Sequence, residues 1–210
     1  EIVRQRASQT LTDIAAGEKG GGKGGAAKKK KKPGGGLSAS GSVPLVNLLK
    51  DGLKDGRVEA QEYALRSLLS VTDAASKEAI VDAGCIPPLI TALGGALARH
   101  SELAQEHAAT VLSELAPIGS NAAMIKEHEG IEPLVALLSI GNADAKERAA
   151  SSLGHLALRA EAAIEITMAG AVTAFVKWLV DPSLGPPEVA ARALSDIALG
   201  NQDTQTTIAE

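Results

Sequence analysis

The stretch GIEPLVALLSIGNADAKERAASSLGHLALRA, residues 130–160, decides the fold. Its first half is an apolar run around Leu134. A Gly-Asn turn follows, and then Ala149, Leu153 and Leu156 stand at i, i+4 and i+7. That spacing is one face of an α-helix. The same arrangement recurs along the chain. VPLVNLL from Val43, IPPLITAL from Ile86 and VTAFVKWL from Val172 align with IEPLVALL from Ile131, making Leu45, Leu89, Leu134 and Phe175 equivalent at steps of 44, 45 and 41 residues. The second pattern repeats as Ala64/Leu68/Val71, Ala108/Leu112/Leu115 and Ala190/Leu194/Ile197. A short helical piece closes each unit at Ile80, Ile125, Ile166 and Ile208. After the first three of these, Gly84, Gly130 and Gly170 stand where a helix ending on a left-handed residue is expected.

Each unit is thus three helices in 41–45 residues, the period of armadillo and HEAT arrays. The G-x-(I/V)-P-x-L-(V/I) opening and the Ala-rich third helix resemble armadillo repeats in particular, over residues 42–210. The resemblance implies an all-α fold, a right-handed armadillo-type α-solenoid of three-helix repeats. Its repeats are expected at 42–84, 85–130, 131–170 and 171–210, the last truncated. Residues 1–16 carry Ala7, Leu11 and Ile14 at the same spacing, and LTDIA at 11–15 parallels LSDIA at 194–198. They read as the last helix of a preceding repeat, and the chain as a piece of a longer array.

Residues 17–36, GEKGGGKGGAAKKKKKPGGG, hold nine Gly, seven Lys and one Glu. That composition forms no core, so 17–41 is expected to be a flexible insert. Lys28, Lys29, Lys30, Lys31 and Lys32 before Pro33 read either as a nuclear localisation signal or acidic-partner tail, or as a solvated linker. The rest of the chain carries 14 basic and 24 acidic side chains, a net of −10. An acidic body beside one basic tract leaves a third option. About 20 flexible residues span roughly 25 Å, so the tract could fold back on an acidic groove as the autoinhibitory segment of importin alpha does. Gly17-x4-Gly22-Lys23 mimics a phosphate-binding loop, but Gly24 stands where Ser or Thr would hold Mg²⁺, and a helix rather than a strand precedes it.

Composition narrows the class. Of 210 residues, 45% are hydrophobic, yet the aromatic side chains are Tyr63, Phe175 and Trp178 alone. The core is therefore aliphatic and Ala-rich, which suits closely packed helices. One cysteine, Cys85, makes no internal disulfide and fits a reducing compartment. No apolar run is long enough to span a membrane. His100, His107, His128 and His155 form no metal-type spacing, and no cofactor or metal site is expected. Nothing points to catalysis, so no enzyme is expected within these residues.

Function is expected on the concave face that third helices build in such arrays. Two residues beyond each core position, about 200° around a helix, stand Asp13, Ser70, Glu114, His155 and Asp196. One turn earlier stand Gln9, Arg66, Thr110, Ser151 and Arg192. By resemblance, the first set occupies the ladder where peptide-binding armadillo proteins carry Asn. The second occupies the rung where importin alpha carries Trp. Neither residue type is present, and Trp178 falls on a second helix at a core-type position. The expected function is a protein–protein scaffold or adaptor that binds an extended, basic or mixed-charge segment. Two alternatives stay open. One is binding of nucleic acid or an acidic surface through the Lys tract, against which the acidic body argues. The other is service as the targeting module of a larger enzyme such as a ubiquitin ligase. The repeat implies a eukaryotic protein of the cytoplasm, the nucleus or both.

Overall fold

Every residue of the i, i+4, i+7 sets at 64–71, 108–115, 149–156 and 190–197 is buried, and so are Ile80, Ile125 and Ile166. A computed structural model of the chain describes residues 39–71, 73–94 and 101–200; residues 1–16, the Lys tract and Ile208 lie outside them. All regular structure among the described residues is helical. The chain divides into two units, residues 1–85 and 86–210.

In the first unit, α1 (Ala39–Asp55) turns back into α2 (Val58–Leu69), and α3 (Ala74–Asp82) follows. The reversal uses Gly56 at φ +66°. Helices α1 and α2 approach at Gly52, where an added Cβ would sit 3.2 Å from both Ala60 Cβ and the Gln61 amide. Buried Gln61 closes this contact by donating from Nε2 to the Gly52 carbonyl at 3.0 Å. Asp73 starts α3 by accepting the Ser76 amide at 2.9 Å, satisfying one of the amides a helix start leaves unpaired. The hydrogen bond from the Ser76 side chain, and after it the one from the Ser76 amide, hold the Asp73 carboxyl below its ordinary range.

In the second unit, α4 (Ile86–Ala92), α5 (Glu102–Leu115) and α6 (Gly119–Glu127) form one repeat. Helices α7 (Ile131–Ile140), α8 (Ala143–Ala157) and α9 (Ala160–Met168) form the next, followed by α10 (Ala171–Val180) and α11 (Pro187–Gly200). Ser101 and Asn142 cap α5 and α8, accepting the Ala104 amide at 3.0 Å and the Ala145 amide at 2.8 Å. The largest core side chains, Trp178 and Phe175, meet edge to face with ring centroids 5.6 Å apart. Trp178 is 2% exposed, so it is a packing residue, as its register implies. Gly185 lies against its indole, where an added Cβ would come within 2.6 Å of three ring atoms.

The corner between each short helix and the next second helix differs in detail from the sequence expectation. Gly84 and Gly170 are left-handed, at φ +75° and +89°, but Gly130 is not. Glu129, at φ +58°, takes that conformation instead. Counted from Ile80, Ile125 and Ile166, the left-handed residue is the fourth in every repeat, whatever its identity. The first two corners close alike. The Cys85 and Gly130 amides donate back to the Ile80 and Ile125 carbonyls at 3.1 and 2.9 Å, the helix-ending pattern that a left-handed residue permits. Gly130 serves another need, because its added Cβ would lie 2.7 Å from Ile125 Cγ2 and 2.8 Å from the Ile125 carbonyl oxygen. The nine-residue step from each short-helix Ile to the next second-helix residue is constant, while the step from Leu45 or Leu89 to the third-helix Ala is 19 and that from Leu134 or Phe175 is 15.

These two neighbours respond oppositely to substitution. Glu129→Gly removes a left-handed penalty of roughly 1–2 kcal/mol, part of which the added freedom of the unfolded chain offsets. It raises the urea midpoint. Gly130→Ala forces a shift against backbone and lowers stability by about 1–3 kcal/mol. Equilibrium denaturation followed by circular dichroism measures both.

Candidate functional site

The third helices of the second unit stack directly, α5 against α8 and α8 against α11. Residues facing the neighbour are small. Ala109 on α5 and Ala150 on α8 are fully buried, and Gly154 is also buried. A Cβ on Gly154 would lie 2.9 Å from Asp196 Oδ2 and 3.9 Å from Ala193 Cα. The absent side chain brings the two backbones together and places the Asp196 carboxylate over α8.

Between α8 and α11 this contact leaves a cleft of about 300 Å³. Helix α8 lines it with Glu147, Ser151 and His155, and α11 with Glu188, Arg192 and Asp196, over a floor that includes Ala150, Gly154 and Ala193. Four of the residues expected on the ladder, Ser151, His155, Arg192 and Asp196, therefore meet in one place. His155 Nδ1 donates to the Ser151 carbonyl at 2.7 Å, which leaves Nε2 as the ring atom for a ligand. The cleft holds three carboxylates against one guanidinium.

The remaining expected positions are placed differently. Thr110 and Glu114 lie on α5, half-buried and exposed, outside this cleft. Thr110 Oγ1 donates to the Glu106 carbonyl at 2.8 Å. In the first unit, Arg66 and Ser70 are exposed. Ser70 is the residue after the end of α2 rather than a position within it, and its hydroxyl donates to the Ser67 carbonyl at 2.6 Å. Gln9, Asp13 and Lys28–Lys32 lie outside the described residues.

The same helical face carries a further set one turn toward the N-terminus. Four residues before Arg66, Thr110, Ser151 and Arg192 stand Glu62, Glu106, Glu147 and Glu188, an acid in each of the four repeats. Extending the same helical face by one turn would have found them. Glu106 also braces the stack: its Oε2 accepts from Asn142 Nδ2 at 2.9 Å, tying α5 to the start of α8. Lys146 Nζ makes the next tie, donating to the Leu184 carbonyl at 3.1 Å. The loop carrying Leu184 is held by Asp181, which accepts from the Ser183 hydroxyl and amide at 2.6 and 3.0 Å. Those bonds lower the Asp181 carboxyl from its ordinary range.

A second cleft, of about 370 Å³, lies between α6 and α9. There Lys126 pairs with Glu161 at 3.1 Å and Arg159 donates to the Gly119 carbonyl. Both are exposed contacts of the modest kind that surface pairs make. Among the described residues no group of three or more His, Cys, Asp or Glu converges on a metal-sized site. No single helix among them is long and apolar enough to cross a membrane.

No protein-family model matches the chain, and no curated protein does. Solved structures share its fold. An engineered protein from a structural genomics consortium matches at 30% identity and a TM-score of 0.70, over 80% of this chain and 40% of its own. This chain thus spans less than half of that protein. A designed armadillo repeat protein in complex with the peptide (KR)4 matches at 23% identity and 0.68, over 80% and 69%. A computationally designed armadillo repeat protein for modular peptide recognition matches at 23% and 0.72, over 84% and 75%.

Cys85 closes the first unit and is completely buried. Burial pushes its thiol up from 9.0 to about 12, against a smaller opposing effect of its backbone hydrogen bond and of Lys50. Thiolate is the reactive form, so a disulfide reagent at pH 8 modifies Cys85 only as fast as the fold opens, and at once in denaturant. Because folding favours the neutral thiol, its contribution to stability is complete below about pH 9 and falls as pH rises toward 12. A stopped-flow thiol assay with and without urea checks the first outcome.

Proposed function

We propose that this armadillo-like repeat array is a protein–protein interaction scaffold that binds an extended basic or mixed-charge peptide segment along its third helices. The observation that carries the reading is the cleft between α8 and α11, where Glu147, Glu188 and Asp196 face Arg192, Ser151 and His155 across a floor of Ala and Gly. A narrow floor with acids on both walls suits a Lys or Arg side chain, whose aliphatic stem packs on the floor while its head meets carboxylates. The recurrence of Glu62, Glu106, Glu147 and Glu188 gives every repeat a carboxylate on the same helical face, which suits a ligand with basic residues at intervals. The designed neighbour that binds (KR)4 supports the class of ligand. Arg192 adds a position for an acidic or carbonyl group, so register along the ligand is set by charge order as well as by charge.

Fluorescence polarisation with labelled (KR)4 and a (GS)4 control tests the proposal. The 210-residue chain binds (KR)4 and not (GS)4, and affinity falls as salt rises from 50 to 300 mM. Glu147→Gln/Glu188→Gln/Asp196→Asn weakens binding about tenfold, at roughly 0.2–1 kcal/mol for each solvent-exposed ionic contact. Equal affinity in the wild-type and triple-variant proteins overturns the assignment of the site.

A further inference from the structure

At the Gly154 end of the α8–α11 cleft, acceptors come from both walls. The Asp196 carboxylate of α11 stands over α8, its Oδ2 2.9 Å from where a Gly154 Cβ would sit. His155, the next residue on α8, is half-buried and lines the same cleft. Its ring proton has a fixed place. The Ser151 carbonyl can only accept, so Nδ1 carries the hydrogen of their 2.7 Å bond. In the neutral ring Nε2 is then left as an acceptor. A charged acceptor and a neutral one therefore adjoin, one from each helix.

The charged groups of the cleft do not pair with one another. Among the described residues, Glu147, Glu188, Arg192 and Asp196 form no ion pair. Glu106, the α5 counterpart of Glu147, is engaged with Asn142 instead. The carboxylates open to a ligand thus stand where α8 and α11 meet.

The floor decides which cation fits. Ala150, Gly154 and Ala193 offer it methyl groups and backbone, with no polar side chain. A guanidinium is planar, with its donors directed outward in the plane and its faces weakly hydrated. Laid on this floor, it keeps an apolar face against apolar surface and its five N–H groups toward the walls. An ammonium is a compact, strongly hydrated charge without such a face. On the same floor it gives up water on one side and gains no hydrogen bond there. The aliphatic stems of both side chains pack alike, so the difference lies in the head group.

We infer that the Gly154 end of the cleft is an arginine subsite, which selects arginine over lysine in the bound segment. His155 Nε2 is its specificity-determining acceptor, beside Asp196. The inference rests on the peptide-binding reading above and narrows it, because charge complementarity alone treats the two residues alike. A carboxylate takes either head group. His155 supplies a second acceptor, offset from the carboxylate, for N–H groups that a fork-shaped donor still has to place.

Fluorescence polarisation with labelled (KR)4 and (KK)4 tests it, since the two peptides have equal length and charge. The 210-residue chain binds (KR)4 about tenfold more tightly than (KK)4, the scale of one added charge-assisted hydrogen bond. His155→Ala reduces that ratio to about twofold, and His155→Gln, whose amide oxygen restores an acceptor, returns it toward tenfold. Both variants keep the helical circular dichroism signal, which separates a lost acceptor from a lost fold. Equal affinity of the wild-type protein for the two peptides overturns the inference and leaves the basic-segment reading standing. So does a tenfold ratio that survives His155→Ala. If neither peptide binds, the reading of the cleft falls and the subsite falls with it.

Discussion

Close approach of the third helices is the constraint on which the second unit depends. Helix axes come within about 8–10 Å only when the contacting side chains allow it, and here they are Ala, Ser and Gly. At Gly154 a methyl group would displace the Asp196 carboxylate, 2.9 Å away, while meeting the Ala193 backbone at an ordinary 3.9 Å. This small-residue seam does two things at once. It supplies dense packing in a chain with three aromatic residues, and it sets the width of the cleft that α8 and α11 form above it. A bulkier seam would widen the cleft and separate its two acidic walls.

The seam is apolar, and polar ties flank it at the helix starts. Glu106 reaches Asn142, and Lys146 reaches the Leu184 carbonyl. Asn142 is at the same time the cap of α8. Glu106 belongs to the recurrent acidic rung, so one carboxylate serves both the stack and the face proposed for binding. Such sharing fixes the register between repeats, because a helix slipped by one turn would lose the tie as well as the fit of the seam.

Much of this was legible in the sequence, and the reason is periodicity. Ala149, Leu153 and Leu156 define a helical face unaided, and their recurrence in other repeats leaves little freedom in fold class. The ladder residues Ser151, His155, Arg192 and Asp196 were legible for the same reason, because a fixed offset from a core position is a fixed direction on the helix. Glu147 and Glu188 were missed although the same rule points to them, because the face was followed for one turn and not two. Glu129 was illegible. A glycine next in line looked like the left-handed residue, and only the count from Ile125 shows otherwise. The role of Gly185 was equally hidden, since it depends on Trp178 arriving from an earlier helix. Ser70 was assigned to a helix that ends one residue before it, a matter of local termination that the core pattern does not report.

The two joints on either side of each second helix have unlike tolerances. The corner before it keeps nine residues between the short-helix Ile and the core residue that follows, closed by a left-handed fourth residue in all three described cases. The joint after it differs by four residues between the earlier and later repeats, with α1 running on to Asp55 where α7 stops at Ile140. Among the described repeats, the difference in length falls at this second joint. A lineage of such proteins can lengthen or recompose the connection into the third helix, beside the acidic rung, while the seam below stays in phase. In the described repeats the corner therefore acts as a ruler of fixed length, and the joint beside the acidic rung is where length varies.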